Sequence, residues 1–146
     1  MYASEPDAAL ACGFDGASAS CASPFTPAPL GDGQHAFAVT ATDRAGNTSP
    51  AATRTFTVDT HAPDIDITGK KKVKTRKKKA KDRLTIETSE PAQLTCAVDK
   101  KPAKPCDAGY TTPKLKKGKH KVTVTATDQA GNSGTETKKI KVVRKP

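Results

Sequence analysis

Four sets of residues in this chain have types and spacings suited to chemistry. Cys12 and Cys21 stand as C-x8-C, and Cys96 and Cys106 as C-x9-C. Each pair reads as a local disulfide, Cys12–Cys21 and Cys96–Cys106, ahead of buried reduced thiols and, least well, zinc. Zinc is disfavoured because neither spacing is C-x2-C, and His35 and His120 each fall 14 residues after the second cysteine of their region. A disulfide closing a loop of about ten residues contributes roughly 2–3 kcal/mol in the chain-entropy estimate, and it implies an oxidising compartment.

Asp43, Gly46 and Asn47 recur as Asp128, Gly131 and Asn132, each within Asp-x-Ala-Gly-Asn. The Asp carboxylate is suited to accept from the backbone two residues on, Gly supplies a positive φ and Asn tolerates the next awkward position, so the motif reads as a structural hairpin turn. Its oxygens, with Asp59, Asp64 and Asp66 near the junction, also suggest calcium. Each loop, however, offers one carboxylate and one amide where a dedicated site takes six or more oxygens. No metal is assigned.

The third set is a basic run: Lys70, Lys71, Lys72, Lys74, Arg76, Lys77, Lys78, Lys79 and Lys81, extended by Arg83. Like charges so close repel one another, which predicts a solvated edge or loop with Val73 and Thr75 pairing at its middle. Two roles fit. Lysines on an edge strand forbid sheet-to-sheet association, and a lysine array attracts polyanions with salt-dependent, sequence-independent affinity. The run has no aromatic residue to stack on a base, so sequence-specific nucleic-acid binding is not expected; anionic cell-wall polymers or lipid headgroups are the expected partners. A nuclear-type targeting signal fits the composition but conflicts with the cysteines.

Histidines form the last set. His35 and His120 occupy the same local context, two residues after Gly33 and Gly118, which favours a framework role over a general base, and His61 lies in a connector. No Gly-x-Ser-x-Gly elbow, phosphate loop or paired catalytic carboxylates occur. No catalytic residue and no cofactor is assigned, and the chain is not expected to be an enzyme. Composition agrees: of 146 residues 34% are apolar, 4% aromatic and none is Trp, thin material for a catalytic core. Net charge is +10 but uneven, because residues 1–60 hold two basic against six acidic residues (−4) and residues 61–146 hold 23 against nine (+14). No apolar run approaches the ~20 residues of a membrane-spanning helix.

The elements that position these residues repeat. Ala41 to Asn47 returns as Ala126 to Asn132, and Gly33-Gln34-His35 as Gly118-Lys119-His120, at a spacing of 85. Cys21 matches Cys106, Phe25 matches Tyr110, Leu30 matches Leu115, and Ser4-Glu5-Pro6 matches Ser89-Glu90-Pro91. With a one-residue gap, Leu10, Cys12 and Phe14 match Leu94, Cys96 and Val98. Periodicity within each copy is two: Phe37, Val39 and Ala41, and Val122, Val124 and Ala126, alternate with polar or small residues. Ile65 and Ile67, Leu84 and Ile86, and Ile140 and Val142 do the same. Asp15-Gly16, Gly31-Asp32-Gly33, Gly46-Asn47, Lys117-Gly118 and Gly131-Asn132 separate the strands. The pattern predicts an all-β antiparallel sandwich without helices longer than a turn.

The order Cys-x-Phe/Val-Asp, a second Cys, Leu-x-x-Gly-x-His, Ala-Thr-Asp-x-Ala-Gly-Asn and finally Val-Asp-Thr-x-Ala-Pro resembles the bacterial immunoglobulin-like (Ig-like) repeats of secreted and surface proteins, of the kind frequent in actinobacteria. The resemblance implies tandem Ig-like sandwiches: residues 1–61 a first copy without its opening strands, and residues 62–146 a complete copy of about seven strands carrying the Lys-rich segment 70–83. It further implies a non-enzymatic extracellular or cell-surface module, with neighbouring Ig-like repeats as partners. The expected role is that of a spacer or stalk; the alternative is electrostatic adhesion through the basic run. Leu10, Phe14, Phe37 and Phe56 of the first copy are expected to be partly uncovered.

Overall fold

The computed structural model describes residues 7–146, so the Ser4-Glu5-Pro6 end of the repeat lies outside the described residues. The chain divides into two compact units, Met1–Thr60 and His61–Pro146.

In the first unit β1 (Ala9–Phe14), β2 (Ala19–Cys21), β3 (Gly33–Thr42) and β4 (Ala52–Val58) form one antiparallel sheet in the order β2-β1-β3-β4. Alternation places Leu10, Cys12 and Phe14 opposite Ala41, Val39 and Phe37, and His35 opposite Phe56. Phe14, Phe25 and Phe37 gather with ring centroids 5.1–6.1 Å apart, and Phe56 meets Phe14 edge-on at 6.0 Å. This apolar face is shallow. Cys12 is buried, Leu10, Phe14 and Phe37 are half-buried, and Phe25 and Phe56 are 41% and 37% exposed.

The second unit contains β5 (Ile65–Thr68), β6 (Lys72–Thr75), β7 (Lys79–Ala80), β8 (Thr85–Thr88), β9 (Gln93–Val98), β10 (Lys104–Pro105), β11 (Leu115–Lys116), β12 (Gly118–Thr127) and β13 (Ser133–Arg144). A five-stranded sheet runs β10-β9-β12-β13-β6, with β6 parallel to β13 and its other pairs antiparallel. The ladders β5-β8 and β7-β11 complete the unit. Cys96, Val98, Val122, Val124, Ile140, Val142 and Val73 of the large sheet form one core with Ile67, Leu84, Ile86 and Leu115. Each is at most 9% exposed, because period-two alternation turns every second side chain to one face. The nine strands exceed the seven expected because β7, β10 and β11 are ladders of only two residues. No described residue is helical.

The basic run supplies the expected solvated edge, with Val73 and Thr75 paired to β13, and it divides further between two ladders. Lys72–Thr75 pairs with β13 as β6, residues 76–78 turn, and Lys79–Ala80 pairs with β11 in a different ladder. Val73 explains the division: its burial anchors β6 to the core while Lys72 and Lys74 point outward, so backbone pairing is gained without bringing their charges inside.

Candidate functional site

Both cysteine pairs are disulfides, Cys12–Cys21 and Cys96–Cys106, with Cα–Cα separations of 5.7 and 5.8 Å. The inward parity of Cys12 and Cys96 sets their sulfurs in the apolar layer, at 6% and 4% exposure. Each bridge ties a central strand to a short neighbour: β2 has three residues and β10 two, too few ladder bonds to hold themselves.

His35 and His120 have partners that sequence reasoning missed. His35 Nδ1 lies 2.7 Å from Asp15 Oδ2, while its Nε2 meets the Gly31 carbonyl at 2.7 Å. Ala36 N donates to Asp15 Oδ1. In the second unit His120 Nδ1 lies 2.9 Å from Asp99 Oδ2, Nε2 meets the Lys116 carbonyl at 2.8 Å, and Lys121 N donates to Asp99 Oδ1. Both aspartates adopt a positive φ, 52° and 57°, at the turn that follows β1 or β9. Asp tolerates this region better than most residues. The signal was present, since Asp15 and Asp99 are both the Asp of the repeated Cys-x-Phe/Val-Asp. With both imidazole nitrogens engaged, an ion pair plus a carbonyl contact is a protonated-histidine arrangement that locks a turn to a strand.

The shifts in proton affinity agree. The Ala36 amide and then His35 hold Asp15 below its ordinary value, and the hydrogen bond to Asp15 followed by the Gly31 carbonyl raises His35. His120 lowers Asp99. For His120 burial is the largest single influence and pulls it down, but the Asp99 hydrogen bond, the Lys116 carbonyl and the Asp99 charge together outweigh it, leaving the imidazole raised. A raised histidine stabilises fully below its ordinary 6.5 and loses that contribution as pH climbs through its folded value. A lowered aspartate stabilises above 3.8 and loses it as pH falls through its depressed value. The clips are therefore strongest between those two values. Wild type should lose melting temperature relative to His120→Gln as pH rises from 6 to 9 in thermal scans; parallel curves would contradict the clip.

The Asp-x-Ala-Gly-Asn loops close on themselves. Asp43 Oδ1 accepts from Asn47 N and its Oδ2 from the Asn47 side-chain amide. Asp128 Oδ1 accepts from Gly131 N and Asn132 N, and its Oδ2 from the Asn132 amide. The carboxylate meets the backbone two residues on, at Ala45 or Ala130, as expected, and also reaches donors three and four residues on, because Gly46 and Gly131 at φ 90° and 97° fold the loop back over it. The Asn side chain turns its nitrogen, not its oxygen, to the carboxylate.

The structure brings together a basic set that the linear run did not define. On β12 and β13 the outward positions carry Lys119 opposite Lys141 and Lys121 opposite Lys139. Lys72 of β6 stands opposite Lys141 on its other side. Lys119 and Lys121, like Lys139 and Lys141, are two residues apart, which is the signal that could have found them. Arg76, Lys77 and Lys78 lie on a turn, Lys79 is opposite Lys116, and Arg83 bridges to Thr111. Lys70, Lys71, Lys74 and Lys81 are exposed.

Residues 17–60 match the model of a bacterial Ig-like domain. No curated protein matches the chain in sequence. Among solved structures the chain is similar to fibronectin(III)-like modules of CbhA from Clostridium thermocellum, with TM-score 0.50 and 18% identity, covering 99% of this chain and 82% of that one. It is also similar to the amphioxus IgVJ-C2 molecule, at TM-score 0.47 and 14% identity over 96% of this chain and 92% of that one. A Ca²⁺-stabilized adhesin of an Antarctic bacterium follows at TM-score 0.40 and 14% identity, over 94% and 40%. The fold is of the Ig and fibronectin III type.

Proposed function

We propose that the chain consists of two consecutive Ig-like modules serving as a non-enzymatic, load-bearing spacer in an extracellular or surface-attached bacterial protein. The observation that supports this most directly is where the recurrent polar residues are engaged. Asp15 with His35, Asp99 with His120, Asp43 with Asn47 and Asp128 with Asn132 each make internal bonds between a turn and a strand or within a turn. What repeats is therefore framework, as expected of units whose task is to hold shape. The two disulfides fit an oxidising compartment. No helix among the described residues is long and apolar enough to cross a membrane.

Single-molecule stretching of the oxidised chain by its ends tests the reading. Two discrete, refoldable ruptures are expected, with the segments inside the disulfide loops released only in reductant. Smooth extension without ruptures would remove the load-bearing role.

A further inference from the structure

The geometry points to the outward face of β12, β13 and β6 as a binding site for a linear phosphodiester polymer, gripped by its backbone through Lys72, Lys119, Lys121, Lys139 and Lys141. This goes beyond the spacer reading, which needs no ligand, and the two stand or fall separately.

Three observations carry the assignment. First, register forces like charges together: Lys72, Lys141 and Lys119 form one row across three strands, and Lys139 and Lys121 the next. Directly opposed like charges destabilise a sheet, and no salt bridge among the described residues neutralises any of the five. Asp99, the carboxylate bordering the face, is held by His120.

Second, edge protection does not account for all of them. Lysines guard edges, and Lys119 and Lys139 each lack a ladder partner on one side, because the β9 ladder begins at Val122 and the β6 ladder at Lys141. Lys141, however, is paired on both sides, with Lys119 and with Lys72, and has no edge to guard.

Third, the first unit is an internal control. The hairpin β3-β4 keeps the register of β12-β13: Gly33 is opposite Val58 and His35 opposite Phe56, as Gly118 is opposite Val142 and His120 opposite Ile140. At the positions of Lys119 and Lys141 it carries Gln34 and Thr57, and at those of Lys121 and Lys139 it carries Ala36 and Thr55. The same hairpin forms with neutral residues, so the lysines answer to something other than folding.

The chemistry of the face selects the ligand. Lys119, Lys121, Lys139 and Lys141 line an open concavity of about 1010 Å³. Ammonium groups on flexible stems act as point charges for phosphate and lack the planar fork of arginine. The face carries Thr123, Thr125, Thr135 and Thr137 beyond the lysines and no aromatic ring, so it has no platform for a base. A polymer with regular phosphodiesters and no bases is what such a face fits.

The test uses the whole chain and fluorescence anisotropy with a short abasic deoxyribose-phosphate oligomer. The variant Lys119→Gln/Lys121→Gln/Lys139→Gln/Lys141→Gln should lose about tenfold or more in affinity, with its salt slope reduced by about 3. The charge-matched variant Arg76→Gln/Lys77→Gln/Lys78→Gln/Lys81→Gln should stay close to wild type. Arginine at the four face positions should retain binding, and melting of the glutamine variant should be no lower than wild type, which shows that the loss is not unfolding. Equal binding by the face variant and wild type, or loss in the turn variant alone, would overturn the proposal. So would clearly tighter binding of an oligothymidylate of the same length, since the face would then be reading bases.

Discussion

Truncation of Leu84 to alanine is expected to destabilise the unit His61–Pro146 by about 2–5 kcal/mol, as for other buried Leu→Ala changes. Leu84 is 0% exposed, and it lies in the core with Ile67, Ile86, Val122 and Val124. Its backbone is pinned as well: Leu84 N donates to the Tyr110 carbonyl at 2.8 Å, and Ile86 N to the Ala108 carbonyl at 2.7 Å. Gly69 packs directly against it, since a Cβ there would collide with the Leu84 side chain. Urea titration followed residue by residue by NMR should show the amides of residues 61–146 shifting to a lower midpoint, with those of residues 7–60 unchanged. A shift below about 1 kcal/mol would mean that the site collapses around the smaller side chain. A common shift of both sets would mean that the two units unfold as one.

The second large effect concerns the disulfides, and it should differ between the units. Each bridge closes a loop of about ten residues and contributes roughly 2–3 kcal/mol. The second unit adds this to a core of Leu, Ile and Val residues; in the first, Cys12 is the buried apolar residue among those described and the phenylalanines remain partly exposed. The same loss is thus a larger fraction of the first unit's stability. In reductant at neutral pH, residues 7–60 are expected to lose dispersed amide signals and hydrogen-exchange protection while residues 61–146 keep theirs. All four phenylalanines lie in the first unit, so the phenylalanine fine structure of the near-ultraviolet circular dichroism should fade as well. Equal retention in both units would show that the first sheet does not depend on its bridge.

How much of this was legible in the chain follows from the range of the interactions involved. Strand positions such as Phe37, Val39 and Ala41, or Val122, Val124 and Ala126, are written in a period of two that any half-buried strand must obey. Zinc was disfavoured by the cysteine spacing and the distant histidines, and a disulfide across one short turn needs only neighbouring strands. Turn residues Gly46 and Gly131 follow from local backbone freedom. The bonds of Asp43 and Asp128 to donors three and four residues on, in contrast, depended on how the loop closes over the carboxylate.

The pairing of His35 with Asp15 and of His120 with Asp99 was not visible, because residues about twenty apart meet only after a hairpin has formed. The lysines that share a face were hidden for a related reason. Nine basic residues in twelve dominate the eye, yet β6, the turn and β7 distribute them over different ladders. The denser constellation comes from residues 72, 119, 121, 139 and 141, far apart in the chain.

The amino-acid order by itself determined an all-strand chain, its internal repetition, its turns and its inward faces, since these depend on side-chain alternation and backbone preference over a few residues. Only the tertiary structure decided which histidine meets which aspartate, where the basic run divides, and which lysines share a face. Those outcomes rest on strand register and on the parallel docking of β6 against β13, which place distant residues side by side and leave no periodic trace in the sequence.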